Sequence, residues 1–119
     1  MDLHANADLR AFFEPAAIAV IGSLNEWGGL GYTAIKNMRQ FNYAGQIYAV
    51  NPSYKEALGL KVYPDVSAVE GPIDLAVVIT PKQTVPRIIE QCAQKGARAA
   101  VVVSDGFAES GEAGARLQK

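Results

Sequence analysis

An α/β fold with one doubly wound parallel sheet is predicted for this chain of 119 residues. Short apolar runs alternate with helical patterns along the sequence, and this alternation favours parallel strands joined by right-handed crossovers. The first apolar run ends on Gly22 and leads through a glycine-rich loop into a helical pattern. A chain of this length suits a single domain.

The first two strands are marked by short apolar runs. Residues 18–21 are apolar throughout, as expected for a parallel strand that is buried on both faces. A helical pattern follows over residues 32–41, and Gln46–Val50 is predicted as the second strand. Asn51 and Pro52 are expected to end that strand.

The second half of the chain repeats this alternation after a polar stretch. Residues 53–73 are mixed and polar, with one short helix predicted near residues 66–69. Leu75–Ile79 is the third predicted strand, and residues 99–103 are the fourth. The helix between them has the clearest apolar period in the chain, and Thr84 is expected to cap it.

These strands predict a Rossmann-like sheet in the spatial order 3-2-1-4. Strands one and four would then flank the point where the strand order reverses, which is where ligands bind in such sheets. The glycine loop at residues 22–31 would face residues 104–107 across this crevice. Because doubly wound sheets usually continue, we expect the chain to be truncated before a fifth strand. It would be a fragment of a longer multidomain protein, with residues 1–12 as an N-terminal segment.

Composition and charge exclude several classes of partner. Lys and Arg number 11 and Asp and Glu number 12, which gives a net charge of −1 with no charged block. Neither nucleic acid nor a membrane is therefore expected as a partner. The N-terminus lacks the pattern of a secretory signal, and the single cysteine, Cys92, suits packing on an apolar helix face. A cytoplasmic location is expected.

The glycine loop predicts an anionic ligand. Backbone N–H groups in such a turn can approach a phosphate closely, and the following helix supplies partial positive charge. The spacing of Gly22, Gly28 and Gly31 departs from the GxGxxG pattern of dinucleotide sites. Asn51 stands where an NAD site usually has an acidic residue for the ribose hydroxyls. An anionic ligand other than NAD is favoured, and a tight turn without any ligand is the alternative.

Five segments of the chain share a pattern with a known family. They read FFEPAAIAVIGS, GLGYTAIKNM, GQIYAVNPSYKEALGLKVYPDV, IDLAVVITP and VSDGFAESGEAG. Together they resemble the N-terminal CoA-binding domain of NDP-forming acyl-CoA synthetases, which include ADP-forming acetate–CoA ligases and are related to the succinyl-CoA synthetase α subunit. The resemblance implies a domain that binds CoA or acyl-CoA and positions it for thioester formation. The parent enzyme would interconvert acid, CoA and NTP with acyl-CoA, NDP and phosphate.

The resemblance also implies that the loop after the first strand holds the CoA phosphates. The residues carried over to this role are Gly22, Ser23, Asn25, Gly28 and Gly31. Trp27 lies in the same loop, where its ring could either stack on adenine or pack against a neighbouring domain.

Further CoA contacts are implied at the carboxyl ends of other strands. Asn51 and Pro52 would line the adenosine side, and Lys55 could pair with the 3′-phosphate. The positions implied near the pyrophosphate and pantetheine are Thr80, Pro81, Lys82, Ser104, Gly106 and Phe107. The alternative, and the more common situation for such residues, is that Lys55 and Lys82 are solvated surface lysines.

No catalytic set and no metal site are predicted in this domain. The sequence offers no carboxylate pair, Ser/His/Asp set or His/Cys cluster with metal-ligand spacing, and its single histidine, His4, lies before the fold begins. Phosphate transfer would need phosphohistidine and ATP-grasp domains elsewhere, so the 119 residues alone are expected to be inactive. Two alternatives stay open. One is a stand-alone CoA-binding or regulatory module, such as the sensor part of a protein acetyltransferase, and the other is an NAD-binding redox domain.

Overall fold

The computed structural model describes residues 14–103 of the chain. Within this range the strands form one six-stranded sheet. The elements in chain order are β1 (Ala17–Gly22), α1 (Leu30–Gln40), β2 (Gln46–Val50), β3 (Glu56–Ala57), β4 (Leu60–Tyr63), β5 (Leu75–Ile79), α2 (Val85–Gln94) and β6 (Ala99–Val102). Single-turn 3₁₀ helices lie at Val66–Ala68 and Lys82–Thr84. None of the helices in this range has the length and apolarity needed to cross a bilayer.

The sheet has the strand order β3-β4-β2-β1-β5-β6. Strand β3 pairs antiparallel with β4, and every other neighbouring pair is parallel. In the register of the sheet, Ile21 lies beside Val50, and Gly22 lies beside Ile79. The carboxyl ends of β1, β2 and β5 therefore meet at one edge, which is where parallel sheets of this kind bind ligands.

The predicted order of the strands is wrong, because residues 53–73 contain a strand that the sequence pattern did not reveal. Strand β4 occupies the place beside β2 that was expected for Leu75–Ile79. Leu75–Ile79 instead lies between β1 and β6, so the strand order reverses between β1 and β5. The expected truncation before a fifth strand assumed a sheet of four parallel strands. That number is also wrong, because the sheet contains five parallel strands, namely β1, β2, β4, β5 and β6.

The predicted position of the fourth strand changes with this order. Strand β6 pairs with β5 and not with β1, so it does not border the glycine loop directly. The predicted CoA contacts Ser104, Gly106 and Phe107 lie outside the described residues, as do His4 and residues 1–12.

Two apolar clusters, one on each face of the sheet, form the core. All residues of β1 are buried, and successive side chains point to opposite faces. Helix α1 covers the face that holds Val20 and contributes Ile35 to it. Helix α2 and the 3₁₀ helix at Val66–Ala68 cover the other face, where Cys92 is 2% exposed. Helices thus lie on both faces, which confirms the doubly wound arrangement and the packing role predicted for Cys92.

Helix α2 starts without the expected threonine cap. Thr84 occupies the N-cap position, but its hydroxyl donates to the Pro81 carbonyl at 2.7 Å and does not accept a bond from the first turn. Pro86 lies in that first turn, where its missing N–H group costs little. The prediction of the cap is wrong.

Candidate functional site

The loop between β1 and α1 folds back on itself through hydrogen bonds. The Asn25 carbonyl accepts from the N–H group of Gly29 at 2.7 Å, and the Ser23 carbonyl accepts from that of Tyr32 at 3.0 Å. The Asn25 side-chain oxygen also accepts from the backbone N–H group of Trp27 at 2.9 Å, which forms an Asx turn. These bonds hold the loop against the first turn of α1.

Glycines at both ends of this loop allow a close approach of backbone segments. A Cβ atom on Gly22 would lie 2.8 Å from the carbonyl oxygen of Ile79 in the neighbouring strand. A Cβ atom on Gly31 would lie 2.8 Å from the carbonyl oxygen of Ser23. Any larger residue at either position would therefore push the loop or the strands apart.

Gly28 and Gly29, in the middle of the loop, are needed for separate reasons. Gly28 has a φ of +145°, a backbone conformation that side chains rarely allow. Gly29 is so tightly packed that a Cβ atom would lie 2.6 Å from the Ser23 carbonyl oxygen and 2.7 Å from that of Asn25. Gly29 is not among the contacts predicted from the sequence, although the adjacent glycines were an available signal.

The N-terminus of α1 presents backbone donors at this edge of the sheet. The N–H groups of Leu30 and Gly31 have no acceptor among residues 14–103, whereas that of Tyr32 is bonded to the Ser23 carbonyl. Gly29 at the N-cap has no side chain to cap the helix, and the first turn contains no acidic residue. Free donors and the partial positive charge of a helix end together suit an anion.

The Asn51 side chain links the end of β1 to the end of β2 through a hydrogen bond. Its side-chain nitrogen donates to the Gly22 carbonyl at 2.8 Å, and its side-chain oxygen accepts from the N–H group of Ser53 at 2.8 Å. Its backbone N–H group bonds to the Tyr63 carbonyl of β4 at 2.9 Å. Both polar atoms of the Asn51 side chain are thus engaged within the protein.

Thr80 directly follows β5, across the point where the strand order reverses. Its hydroxyl oxygen is buried and has no hydrogen-bond partner among the residues that the structure describes. A buried hydroxyl without a hydrogen bond costs on the order of 1–3 kcal/mol of stability. We therefore expect the Thr80 hydroxyl to form a hydrogen bond with a group outside those residues. Pro81 and Lys82, which come next, are exposed.

An open groove of about 330 Å³ lies beside the loop, between α1 and β3. Glu26 and Trp27 of the loop and Tyr32 of α1 line one side, and Tyr54 and Glu56 line the other. Because three of these side chains are aromatic, we refer to it as the aromatic groove. Its volume lies within the range of about 300–1,000 Å³ that is usual for small-molecule sites.

The structure brings together a part of the predicted set. The loop residues Gly22, Ser23, Asn25, Gly28 and Gly31 are contiguous, Asn51 contacts Gly22, and Thr80 follows the strand partner of Gly22. Pro52, Lys55 and Lys82 are exposed and contact none of the others through hydrogen bonds in the described range. In residues 14–103, no three or more His, Cys, Asp or Glu side chains converge as they would around a metal ion.

Comparison with known families decides the identity of the domain. The family model described as a CoA-binding domain matches residues 16–119. The chain belongs to this CoA-binding domain family. Among its relatives, the ADP-forming acetate–CoA ligase I of Archaeoglobus fulgidus is 41% identical over 111 residues, which cover 93% of this chain. The α subunit of the ADP-forming acetate–CoA ligase II of Pyrococcus furiosus is 39% identical and also covers 93% of the chain.

A solved structure has the same fold as this CoA-binding domain. It is the dinucleotide-forming acetyl-coenzyme A synthetase 1 of Ca. Korarchaeum cryptofilum in complex with phosphate and ADP, with a TM-score of 0.79 and 36% identity over 93% of this chain. The CoA-binding domain spans 16% of the Archaeoglobus ligase, 24% of the Pyrococcus α subunit and 24% of the synthetase chain. It is therefore homologous to one part of longer ADP-forming acyl-CoA synthetases.

Proposed function

We propose that this CoA-binding domain serves an ADP-forming acyl-CoA ligase and holds CoA at the carboxyl edge of its sheet. Such an enzyme interconverts an acyl-CoA, NDP and phosphate with the acid, CoA and NTP. The domain would bind CoA and direct its thiol, whereas phosphate transfer would need phosphohistidine and ATP-grasp domains. The support is homology to a part of proteins whose names give this ligase activity. A cytoplasmic location is part of the same proposal.

The main structural support for the proposal is the set of free N–H donors at the N-terminus of α1. The N–H groups of Leu30 and Gly31 have no acceptor within residues 14–103, and the cap residue Gly29 offers no side chain that would block an approaching ligand. CoA brings a diphosphate, and hydrogen bonds from backbone N–H groups to such an anion are stronger than those to neutral acceptors. The buried hydroxyl of Thr80 lies one strand away and would gain a partner from the same ligand.

The remaining contacts are proposed from position. Pro52 lies on the adenosine side, and the exposed ammonium group of Lys55 would pair with the 3′-phosphate. The positions proposed to border the pyrophosphate and the pantetheine arm are Pro81, Lys82, Ser104, Gly106 and Phe107.

An NAD-binding redox domain is disfavoured by the end of β2. Dinucleotide sites use a carboxylate at this place to bind the ribose hydroxyls. Here the residue is Asn51, and both polar atoms of its amide are already hydrogen-bonded within the protein. A sensor module would bind CoA through the same loop as a ligase. Only the identity of the other domains in the full-length protein would distinguish these two functions.

Thermal melts of the 119-residue chain with CoA, acetyl-CoA, NAD and ADP test the proposal. A ligand present at about 100 times its dissociation constant stabilises the folded state by about 2.7 kcal/mol. In a domain of this size the melting temperature would rise on the order of 10 °C. We expect this rise with CoA and acetyl-CoA, and a rise with NAD in place of CoA would refute the proposal.

A proline at position 30 tests the role of the helix end itself. Leu30 is the first residue of α1 and Gly29 before it has φ −68° and ψ 127°, the extended conformation that proline requires of its predecessor. Leu30→Pro therefore removes one N–H donor while the helix is kept. Loss of a hydrogen bond to a charged group, about 1.5–3 kcal/mol, would weaken CoA binding about 10- to 100-fold. Leu30→Ala keeps the donor and should bind CoA normally, so equal affinities of the two variants would argue against this site.

A further inference from the structure

The hairpin of β3 and β4 depends on contacts outside itself for its position. Strand β3 has only two residues, lies at the edge of the sheet and pairs with β4 alone. One further backbone bond, from the N–H group of Val62 to the Lys55 carbonyl at 3.0 Å, extends this pairing. A hairpin this short is at best marginally stable in water by itself. Contacts with the rest of the domain are therefore needed to hold it in place.

The turn of this hairpin adds a conformational cost. Leu58 has a φ of +53° and Gly59 a φ of +74°, so both central residues have the positive φ that a type I′ turn requires. Asparagine and glycine suit such positions, whereas a leucine is strained there. A strained residue persists only where the surrounding structure holds it, and such residues are common at ligand-binding sites.

Two contacts hold Leu58 in this conformation, and both involve α1. The Arg39 guanidinium donates to the Leu58 carbonyl at 2.5 Å. The Leu58 side chain packs on the apolar cluster that includes Ile35 of the same helix. In residues 14–103 the Arg39 side chain has no other hydrogen bond and no ion pair. Its guanidinium group is therefore free to act on the hairpin alone.

Helix α1 thus connects two regions that are proposed to bind phosphate groups. Its N-terminus presents the free donors of Leu30 and Gly31, and near its other end Arg39 holds the turn of the hairpin. Because β3 runs antiparallel to β4, Lys55 just before it lies at the carboxyl edge of the sheet. The helix of 11 residues is about 16 Å long, and residues 55–58 span about 10 Å of extended chain. The lengths of the two segments therefore allow the hairpin to reach back to the edge where the helix begins.

We propose that Arg39 is a positioning residue for CoA, which holds the Leu58 carbonyl and thereby keeps Lys55 within reach of the 3′-phosphate. This inference rests on the proposed function, because the pairing of Lys55 with the 3′-phosphate is taken from there. Arg39 acts through the hairpin and does not touch the ligand. Since one helix anchors both phosphate-binding regions, their spacing is fixed before CoA arrives, and such preorganisation raises affinity.

Hydrogen exchange tests the anchor without any ligand. The Val62 amide donates to the Lys55 carbonyl, so opening of the hairpin exposes it to water. In Arg39→Met, which keeps a long side chain without its donors, this amide should exchange about tenfold faster. Amides of β1, which is paired on both sides, should exchange as before. Equal acceleration throughout the domain, or no acceleration at Val62, would overturn the positioning role.

The preference for CoA over 3′-dephospho-CoA, which lacks only the 3′-phosphate, measures the effect on binding. Calorimetric titration of the unaltered chain should give a dissociation constant about tenfold lower for CoA. In Arg39→Met the preference should fall to about twofold, with dephospho-CoA bound as before. Lys36→Met is the matched control, because it removes one positive charge from the exposed surface of the same helix. An unchanged preference in Arg39→Met, or an equal fall in Lys36→Met, would contradict the proposal.

A double-mutant cycle shows whether Arg39 acts through Lys55. Lys55→Ala should remove the preference for CoA, and adding Arg39→Met to it should cause no further loss. A further loss in the double variant would refute an action through Lys55. If the unaltered chain binds no CoA, the proposed function fails. If it binds CoA but Lys55→Ala keeps the preference, the proposed 3′-phosphate contact fails. If only Arg39→Met keeps the preference, the positioning role alone fails.

Discussion

The side-chain nitrogen of Asn51 donates a hydrogen bond of 2.8 Å to the carbonyl oxygen of Gly22. This bond joins the residue that ends β1 to the residue that follows β2, next to the loop that is proposed to bind phosphate. It uses one of the two N–H donors of the amide, and the residue offers no carboxylate for a ribose hydroxyl. The same asparagine therefore stabilises the edge of the sheet and makes this edge unlike a dinucleotide site.

Replacing Asn51 with aspartate should destabilise the domain. The variant keeps an acceptor for the N–H group of Ser53 but turns a carboxylate oxygen towards the Gly22 carbonyl. Loss of the bond and the new repulsion should lower the free energy of unfolding by about 1–3 kcal/mol, measured by urea denaturation. Asn37→Ala, on the exposed surface of α1, serves as the control. Equal stability of Asn51→Asp and the unaltered chain would contradict the structural role.

Replacing Gly29 with alanine should open the loop before α1. The new Cβ atom would lie 2.6 Å from the Ser23 carbonyl oxygen, and backbone on both sides would have to shift. We expect a loss of about 1–3 kcal/mol in the free energy of unfolding, as for other overpacked positions. Gln40→Ala at the exposed end of α1 should have little effect in the same denaturation experiment. A fully stable Gly29→Ala variant would show that the loop is looser than described.

Replacing Thr80 with valine should separate binding from stability. Valine has nearly the same shape but lacks the hydroxyl, which is buried and unpaired within the described residues. The free protein should be as stable as before or slightly more so, because an unsatisfied polar group is removed. The dissociation constant of CoA should rise about 2- to 10-fold if the ligand supplies the missing partner. Thr80→Ser keeps a hydroxyl and should bind like the unaltered chain, whereas undiminished affinity of Thr80→Val would exclude this contact.

Stability should decline at alkaline pH. Burial raises the pKa of the Cys92 thiol. Partial burial, followed by the charge of Asp74, raises the pKa of Tyr43. Both groups hold their protons more tightly in the folded state. Their contribution is therefore complete below the pKa values of the unfolded chain and is lost as the pH rises through the folded values. Thermal melts should show a falling melting temperature above about pH 8.5, where an unfolded thiol begins to ionise.

The reactivity of Cys92 checks the same environment independently. It is the single cysteine of the chain and is 2% exposed, so a thiol reagent reports on one site. Ellman's reagent should react slowly with the native protein and rapidly in urea. Reaction of the native protein at the rate of a free thiol would show that the site is open.

The sequence pattern located the strands that are buried on both faces and missed the hairpin of β3 and β4. Its turn places Leu58 at a φ of +53° and Gly59 at +74°. A leucine in a left-handed conformation is not a recognised turn signal. The structure tolerates it because Arg39 donates to the Leu58 carbonyl and the leucine side chain packs on the core. Missing this hairpin was the cause of the wrong strand order.

Other differences arise where local pattern and tertiary structure disagree. Phe41 continues the apolar period of α1 in the sequence, but it lies just after the helix and is 83% exposed. Prediction of the candidate site from the sequence is limited in the same way. The glycine loop could be predicted from its composition, whereas the bond from Asn51 to Gly22 depends on two strands being neighbours. The contacts of the predicted CoA-binding residues with a ligand stay predictions.

Gly22 has a consequence for how sequences of this family are interpreted. Its neighbour across the sheet leaves no room for even a methyl group, since the Ile79 carbonyl oxygen lies 2.8 Å from where a Cβ atom would be. A glycine retained at this position in other members would follow from the distance between two strands. Such a glycine would therefore be no evidence that those proteins still bind CoA.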